Sequence, residues 1–205
     1  MNKSDYVKLA IDYAISGQSK LNPKALSMEG MSSPKVRNFL NKLLETPESR
    51  YLEIGVWKGS TFYSALYKNT PIYATSIDNF ATFGGREQIF RNNMVDIEAP
   101  YEFINSDCFN LKNKLDKKYN IYFYDGEHYE LDQEKALTYY YDNLDDEFIY
   151  ICDDWNFPSV PKGTFAGIEK TNLQIIDQWT LEAKHNGDTE NWWNGLWVSI
   201  LKKDK

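Results

Sequence analysis

Four places in the chain put carboxylates where a strand runs out. Asp78 follows the apolar run Pro71–Ile77, Asp125 follows Asn120–Tyr124, and Asp153-Asp154 follow the run ending at Cys152. Asp107-Cys108 come just after a further strand-like stretch, Tyr101–Asn105. In an open parallel sheet the carboxyl ends of the strands face one crevice, so these groups converge. Like charges gathered in one place are costly unless a cation or hydrogen-bond donors offset them. Asp125, Asp153 and Asp154 offer hard oxygen ligands that suit magnesium, whereas zinc would want His or Cys. The alternative kept open is that these residues cap helices and hydrogen-bond a ligand.

Glu127 and His128 stand beside that cluster. Either can take a proton from a hydroxyl that a metal ion has acidified. An imidazole of ordinary pKa, about 6.5, is mostly neutral at pH 7 and able to accept. Glu127 would need its pKa raised by the surrounding carboxylates. His128 also has a plainer reading, as a cap for the following helix. His185 lies in a polar stretch and carries little functional signal.

The element that must position these groups is Arg50-Tyr-Leu-Glu-Ile-Gly-Val-Trp-Lys-Gly-Ser-Thr61. Tyr51, Leu52, Ile54 and Val56 read as a buried strand, Gly55 and Gly59 as a turn, and Ser60 as the start of a helix. The spacing is Glu-x-Gly-x-x-x-Gly, not the dinucleotide pattern Gly-x-Gly-x-x-Gly. Glu53, just inside the strand end, would repel a diphosphate and attract an amine or a sulfonium. That favours S-adenosylmethionine (SAM) over a nicotinamide dinucleotide; a glycine turn that binds nothing is the alternative. Asp78, ending the next strand, sits where one carboxylate can accept both hydroxyls of a ribose, or it caps a turn.

Before this unit, Ser4 is expected to cap a helix carrying Val7, Ala10, Ile11, Ala14 and Ile15, stopped by Gly17. Residues 18–30 read as a loop. Ser33 caps the next helix, Pro34 is its first residue, and Val36, Phe39, Leu40, Leu43 and Leu44 form its buried stripe. Gly84-Gly85 precede a helix over Arg86–Met94, and another runs through Glu130–Leu144. Asp145–Cys152 is a fifth strand, followed by a short helix near Gly163–Asn172. Ile175–Ala183 and Leu196–Leu201 form an antiparallel pair. The expected fold is α/β: a doubly wound, mostly parallel seven-stranded sheet in a single domain over 1–205, with the helices of 1–45 covering the ligand site. The run Asn191-Trp-Trp-Asn-Gly-Leu-Trp197 could wall an acceptor pocket, pack in the core or form a homodimer contact; packing is preferred.

With 205 residues the chain can bury one substantial core. Its net charge of −7 argues against nucleic acid or an anionic membrane as a partner. There is no apolar run of 18 residues, and the start lacks the apolar core of a signal peptide. Two cysteines, Cys108 and Cys152, make no disulfide framework, so a reduced, cytoplasmic setting is expected.

With these pieces placed, the chain resembles the class I SAM-dependent methyltransferases from about Met31 to Trp155. Within them it is similar to the small metal-dependent O-methyltransferases of the catechol and caffeoyl type, and to those acting on antibiotic sugars. The resemblance implies that Met31 and Ser32 lie over SAM, and that Glu53, Gly55, Trp57, Gly59, Ser60 and Thr61 surround its methionine part. Asp78, with Asn79 beside it, would take the ribose, and Asp107 and Cys108 would meet the adenine. Asp125, also next to the cofactor, would hold Mg²⁺ with Asp153 and Asp154. The catechol-type enzymes have a Lys base where this chain has His128, and the sugar enzymes have an acidic base where it has Glu127; the base stays open. Catechol-type enzymes often place Asn where Asp154 stands, so the acceptor is expected to be a hydroxylated small molecule, a sugar or polyol before a catechol. The alternatives are a SAM-fold binding protein without turnover and a metal-dependent hydrolase.

Overall fold

The computed structural model describes residues 1–84, 86–113 and 115–204. The first helix, α1 (Lys3–Ile15), is capped by Asn2 and not by Ser4. Asn2 Oδ1 accepts from the Asp5 N–H at 2.9 Å, and Asp5 Oδ2 accepts from the Asn2 N–H at 3.0 Å. This reciprocal pair satisfies two otherwise orphaned donors, which a hydroxyl at residue 4 does not do. A short helix, α2 (Pro23–Ser27), lies within the stretch expected to be a loop, capped by Asn22. Helix α3 (Pro34–Leu43) starts on the Ser33 cap as expected, with Ser33 Oγ accepting from the Val36 N–H at 3.3 Å.

The remaining order is β1 (Arg50–Ile54), α4 (Ser60–Leu66), β2 (Tyr73–Asp78), α5 (Glu87–Asn93), β3 (Tyr101–Asn105) and β4 (Tyr119–Tyr124). Helix α6 (Glu130–Tyr140), β5 (Leu144–Cys152), α7 (Ser159–Thr171), β6 (Leu173–Leu181) and β7 (Leu196–Lys203) complete it. Val56 therefore lies beyond β1, α6 ends before Leu144, and α7 begins four residues earlier than the sequence signals suggested. Gly85 of the expected Gly84-Gly85 turn lies outside the described residues.

The seven strands run β3-β2-β1-β4-β5-β7-β6. The first five are parallel, and β7 is antiparallel to both β5 and β6, as anticipated. Side chains alternate between two covered faces. Tyr51, Ile121, Phe123, Ile149 and Ile151 pack with α1, α3 and α4, while Leu52, Ile54, Tyr122, Tyr124 and Tyr150 pack with α6 and α7. Cover on both faces explains why the central strands read as nearly continuous apolar runs.

From β1 the chain winds outward through β2 and β3, then returns to β4 on the other side of β1. This reversal opens a crevice above the carboxyl ends of β1 and β4. Past the strand ends the ladder continues, with the Asp125 N–H donating to Ile54 O and the Gly55 N–H to Ile77 O, both at 2.9 Å. The glycine turn and Asp125 are thus pressed side by side. Gly55 has φ +81°, and a Cβ there would fall 1.9 Å from the Asp125 carbonyl oxygen. Only glycine fits that junction. Among the described residues no helix is long and apolar enough to cross a membrane.

Candidate functional site

A cavity of about 590 Å³ lies over these strand ends. Met31, Gly55, Trp57, Ser60 and Thr61 line it from the loop before α3 and from the glycine turn. Asp78 and Asn79 reach it from β2, and Asp107 and Cys108 from the end of β3. Asp125, Glu127 and His128 line it beyond β4, Asp153 and Asp154 beyond β5.

Three residues expected to touch a ligand are set back from this wall. Glu53 is 0 % exposed. Strand alternation turns it, with Tyr51, toward the helical layer of α3 and α4. Its Oε1 accepts from Thr61 Oγ1 at 2.5 Å and its Oε2 from the Tyr51 hydroxyl at 2.6 Å. Burial pushes the Glu53 carboxyl up to about 8, against the pull of the Thr61 and Tyr51 hydrogen bonds. It meets the cavity only through Thr61, which corrects the expectation of direct contact. Ser32 is buried behind Ser60, its Oγ accepting from Arg37 Nε at 2.9 Å. Gly59, at φ +89°, turns the backbone into α4, and a Cβ there would approach the Phe90 ring to 3.0 Å. It shapes the turn without forming the wall.

Asp78 fills the turn-capping role that was its alternative reading, and it does so at the cavity wall. Its Oδ2 accepts from the Val56 and Trp57 N–H groups at 2.8 and 2.7 Å, and its Oδ1 from the Phe80 N–H at 2.6 Å. Trp57 and Phe80 hold left-handed backbone, φ +41° and +54°, which aims their amides at the carboxylate. Asp78 organises both turns and still faces the cavity.

The β4 and β5 tips are arranged differently. Asp125, Asp153 and Asp154 each bring one oxygen within 4.8 Å of the other two. Asp153 and Asp154 are 3 % and 5 % exposed. Asp153 Oδ1 is buried with no hydrogen-bond partner among the described residues. Burial, then the neighbouring carboxylates, push Asp125 and Asp153 well above the usual carboxylate range. Asp154, at φ +60°, accepts from Asn194 Nδ2 at 2.5 Å and is ion-paired with His128 Nε2. The Asp154 hydrogen bond raises the His128 pKa while burial opposes it. The His128 ring stacks on Phe157 at 5.0 Å. An orphaned oxygen and three converging carboxylates, with His128 paired to Asp154 and outside the three-residue group, fit a divalent cation of the magnesium kind. Glu127 is exposed at the cavity edge, its Oε1 accepting from Thr82 Oγ1 at 3.2 Å.

The sequence reading missed several wall residues, notably Thr82, Phe83, Asp132 and Tyr129. It also treated Asn191–Trp197 as one unit. Trp192 packs edge-on to Phe39 and Trp197 stacks on Trp155 at 5.0 Å, as core. Trp193, at φ +60°, and Asn194 line the cavity instead. The turn signal Asn194-Gly195 was present in the sequence and marks where the run divides.

No protein-family model matches the chain, and no curated protein matches it. Among solved structures it superposes on the O-methyltransferase from Bacillus cereus in complex with SAH, with a TM-score of 0.66 at 10 % identity over 98 % of this chain and 100 % of that one. It is also similar to the SAH-bound methyltransferase PaMTH1 of Podospora anserina, with a TM-score of 0.60 and 11 % identity over 98 % of this chain and 88 % of that one. TrmN from Thermus thermophilus gives a TM-score of 0.61 and 14 % identity over 89 % of this chain and 52 % of that one, so the chain spans about half of TrmN. The class these likenesses define is one of architecture: the chain has the Rossmann-like fold of the methyltransferases.

Proposed function

We propose that this chain is a SAM-dependent O-methyltransferase acting on a small hydroxylated acceptor, with a divalent cation beside the reacting oxygen. The observation that carries the reading is the meeting of two features in one cavity on this fold. A glycine turn is pressed against Asp125, and a three-carboxylate cluster with one unpartnered oxygen, Asp153 Oδ1, stands next to it.

Met31, Trp57, Ser60 and Thr61 hold the methionine part of SAM, Asp78 and Asn79 the ribose, and Asp107 and Cys108 the adenine. SAM supplies a methyl group on its own leaving group, so the protein's task is alignment and charge stabilisation. Asp125, Asp153 and Asp154 would hold Mg²⁺, which when bound would supply a positive charge that acidifies an acceptor hydroxyl. Glu127 is the proton acceptor, because its carboxylate is exposed at the cavity edge while His128 is engaged by Asp154. His128 and Asn194 fix the orientation of Asp154. The preference for a sugar or polyol over a catechol rests on Asp154 and Glu127 standing where the similar sugar enzymes carry acidic residues.

The test is transfer of labelled methyl from SAM to a panel of sugars, polyols and catechols, with Mg²⁺ or with EDTA. Label is expected in a polyol only with Mg²⁺, and Glu127→Gln should lower kcat about 100-fold or more. An undiminished rate in EDTA would remove the cation from the scheme. Failure to bind SAH at all would remove the whole reading.

A further inference from the structure

Arg37 is a buried cation with no carboxylate partner among the described residues. It is 3 % exposed, and burial lowers its pKa to about 10. Buried guanidinium groups ordinarily pair with carboxylates. Here Nη1 donates to Ala25 O and Met28 O at 2.8 and 2.9 Å and to Leu26 O at 3.3 Å. Nη2 donates to Ser32 O at 3.3 Å, and Nε donates to Ser32 Oγ at 2.9 Å. The side chain thereby ties down the loop that carries Met31 to the cavity, and keeps its charge.

The bond to Ser32 Oγ extends toward the cavity. That oxygen accepts from Arg37 and lies 3.3 Å from Ser60 Oγ, a contact in which either hydroxyl can donate. With Ser32 as the donor, the Ser60 proton is left free for a ligand in the cavity that Ser60 lines. Gly30 permits this contact, since a Cβ there would lie 1.9 Å from Ser60 Oγ. Asp125, Asp153 and Asp154 line the same cavity. The cavity thus presents a polarised donor backed by a cation as well as carboxylates.

We propose that Arg37 polarises the Ser32–Ser60 hydroxyl chain so that Ser60 donates to a carboxylate of the bound ligand, making Arg37 and Ser32 positioning residues for that subsite. The inference rests on the SAM reading, which supplies the carboxylate from the amino-acid end of the donor molecule. A carboxylate there is satisfied by a charge-assisted hydrogen bond and lies in the field of the buried guanidinium.

The test uses two probes, SAH and 5′-methylthioadenosine, which shares the nucleoside and thioether but lacks the amino-acid group. Both are titrated calorimetrically into the wild type, Ser60→Ala and Ser32→Ala. Ser60→Ala should weaken SAH about tenfold or more and Ser32→Ala severalfold, while 5′-methylthioadenosine stays within about twofold throughout. Arg37→Lys, if it folds, should follow Ser32→Ala; if it does not fold, the serine variants decide alone. Equal weakening of both probes, or of neither, overturns the carboxylate subsite and leaves the SAM reading standing. A wild type that binds neither probe overturns both.

Discussion

The two sides of the cavity rim carry the same residue type at the same place in the sheet and use it in opposite ways. At the end of β2, Asp78 accepts three backbone N–H bonds. At the ends of β4 and β5, Asp125, Asp153 and Asp154 crowd one another, and one Asp153 oxygen has no partner. The backbone makes the difference. Left-handed conformations at Trp57 and Phe80 turn amides toward Asp78, whereas the left-handed Asp154 brings another carboxylate alongside Asp153. An acidic strand end is therefore fully hydrogen-bonded on one side, and on the other it keeps one buried oxygen without a partner among the described residues, although His128 and Asn194 engage Asp154.

The severest way to break this arrangement is Gly55→Val, which acts where the two sides meet. The added Cβ would overlap the Asp125 carbonyl, and a β-branched residue resists φ +81°. A loss of more than about 4 kcal/mol, or failure to fold, is expected in urea melts. Asp78→Ala comes next: losing three amide bonds to a carboxylate should cost about 2–4 kcal/mol. Asp153→Asn sharpens the contrast, because in EDTA it should stabilise the protein by about 1–2 kcal/mol through relief of like-charge repulsion. If both substitutions destabilise the metal-free protein equally, the two sides do not differ.

A smaller effect concerns Glu53, beneath the first side. Its folded pKa of about 8 lies above the unfolded value of about 4.3. The stability it contributes is complete below about pH 4.3 and is lost as the pH rises through about 8. Relative to Glu53→Gln, the wild type should lose stability across that window, by no more than about 1.4 kcal/mol per pH unit. Melting both proteins at several pH values checks this, and parallel curves would contradict it.

Much of this rim was legible in the sequence. Strand-ending carboxylates, the Glu-x-Gly-x-x-x-Gly spacing and the Ser33-Pro34 helix start depend on local chemistry and period, and they led to the right sheet. What was not legible depends on contacts remote in sequence or on single left-handed residues. Period two gives Glu53 a face but does not tell which face the ligand shares. Nothing local marks Arg37 as buried, because three of its partners are carbonyls of Ala25, Leu26 and Met28, in a stretch that reads as a loop and holds α2. Trp192 and Trp193 look alike in the sequence, and one positive φ sends them to different environments.

The most direct measurement is the melting temperature of EDTA-stripped wild type and Asp153→Asn as Mg²⁺ is added. A cation that binds the folded state alone stabilises it by mass action, so the wild-type midpoint should climb with Mg²⁺ while the variant's stays fixed. A wild-type midpoint unmoved by millimolar Mg²⁺, or one that climbs equally in the variant, would contradict a cation site at the β4 and β5 tips.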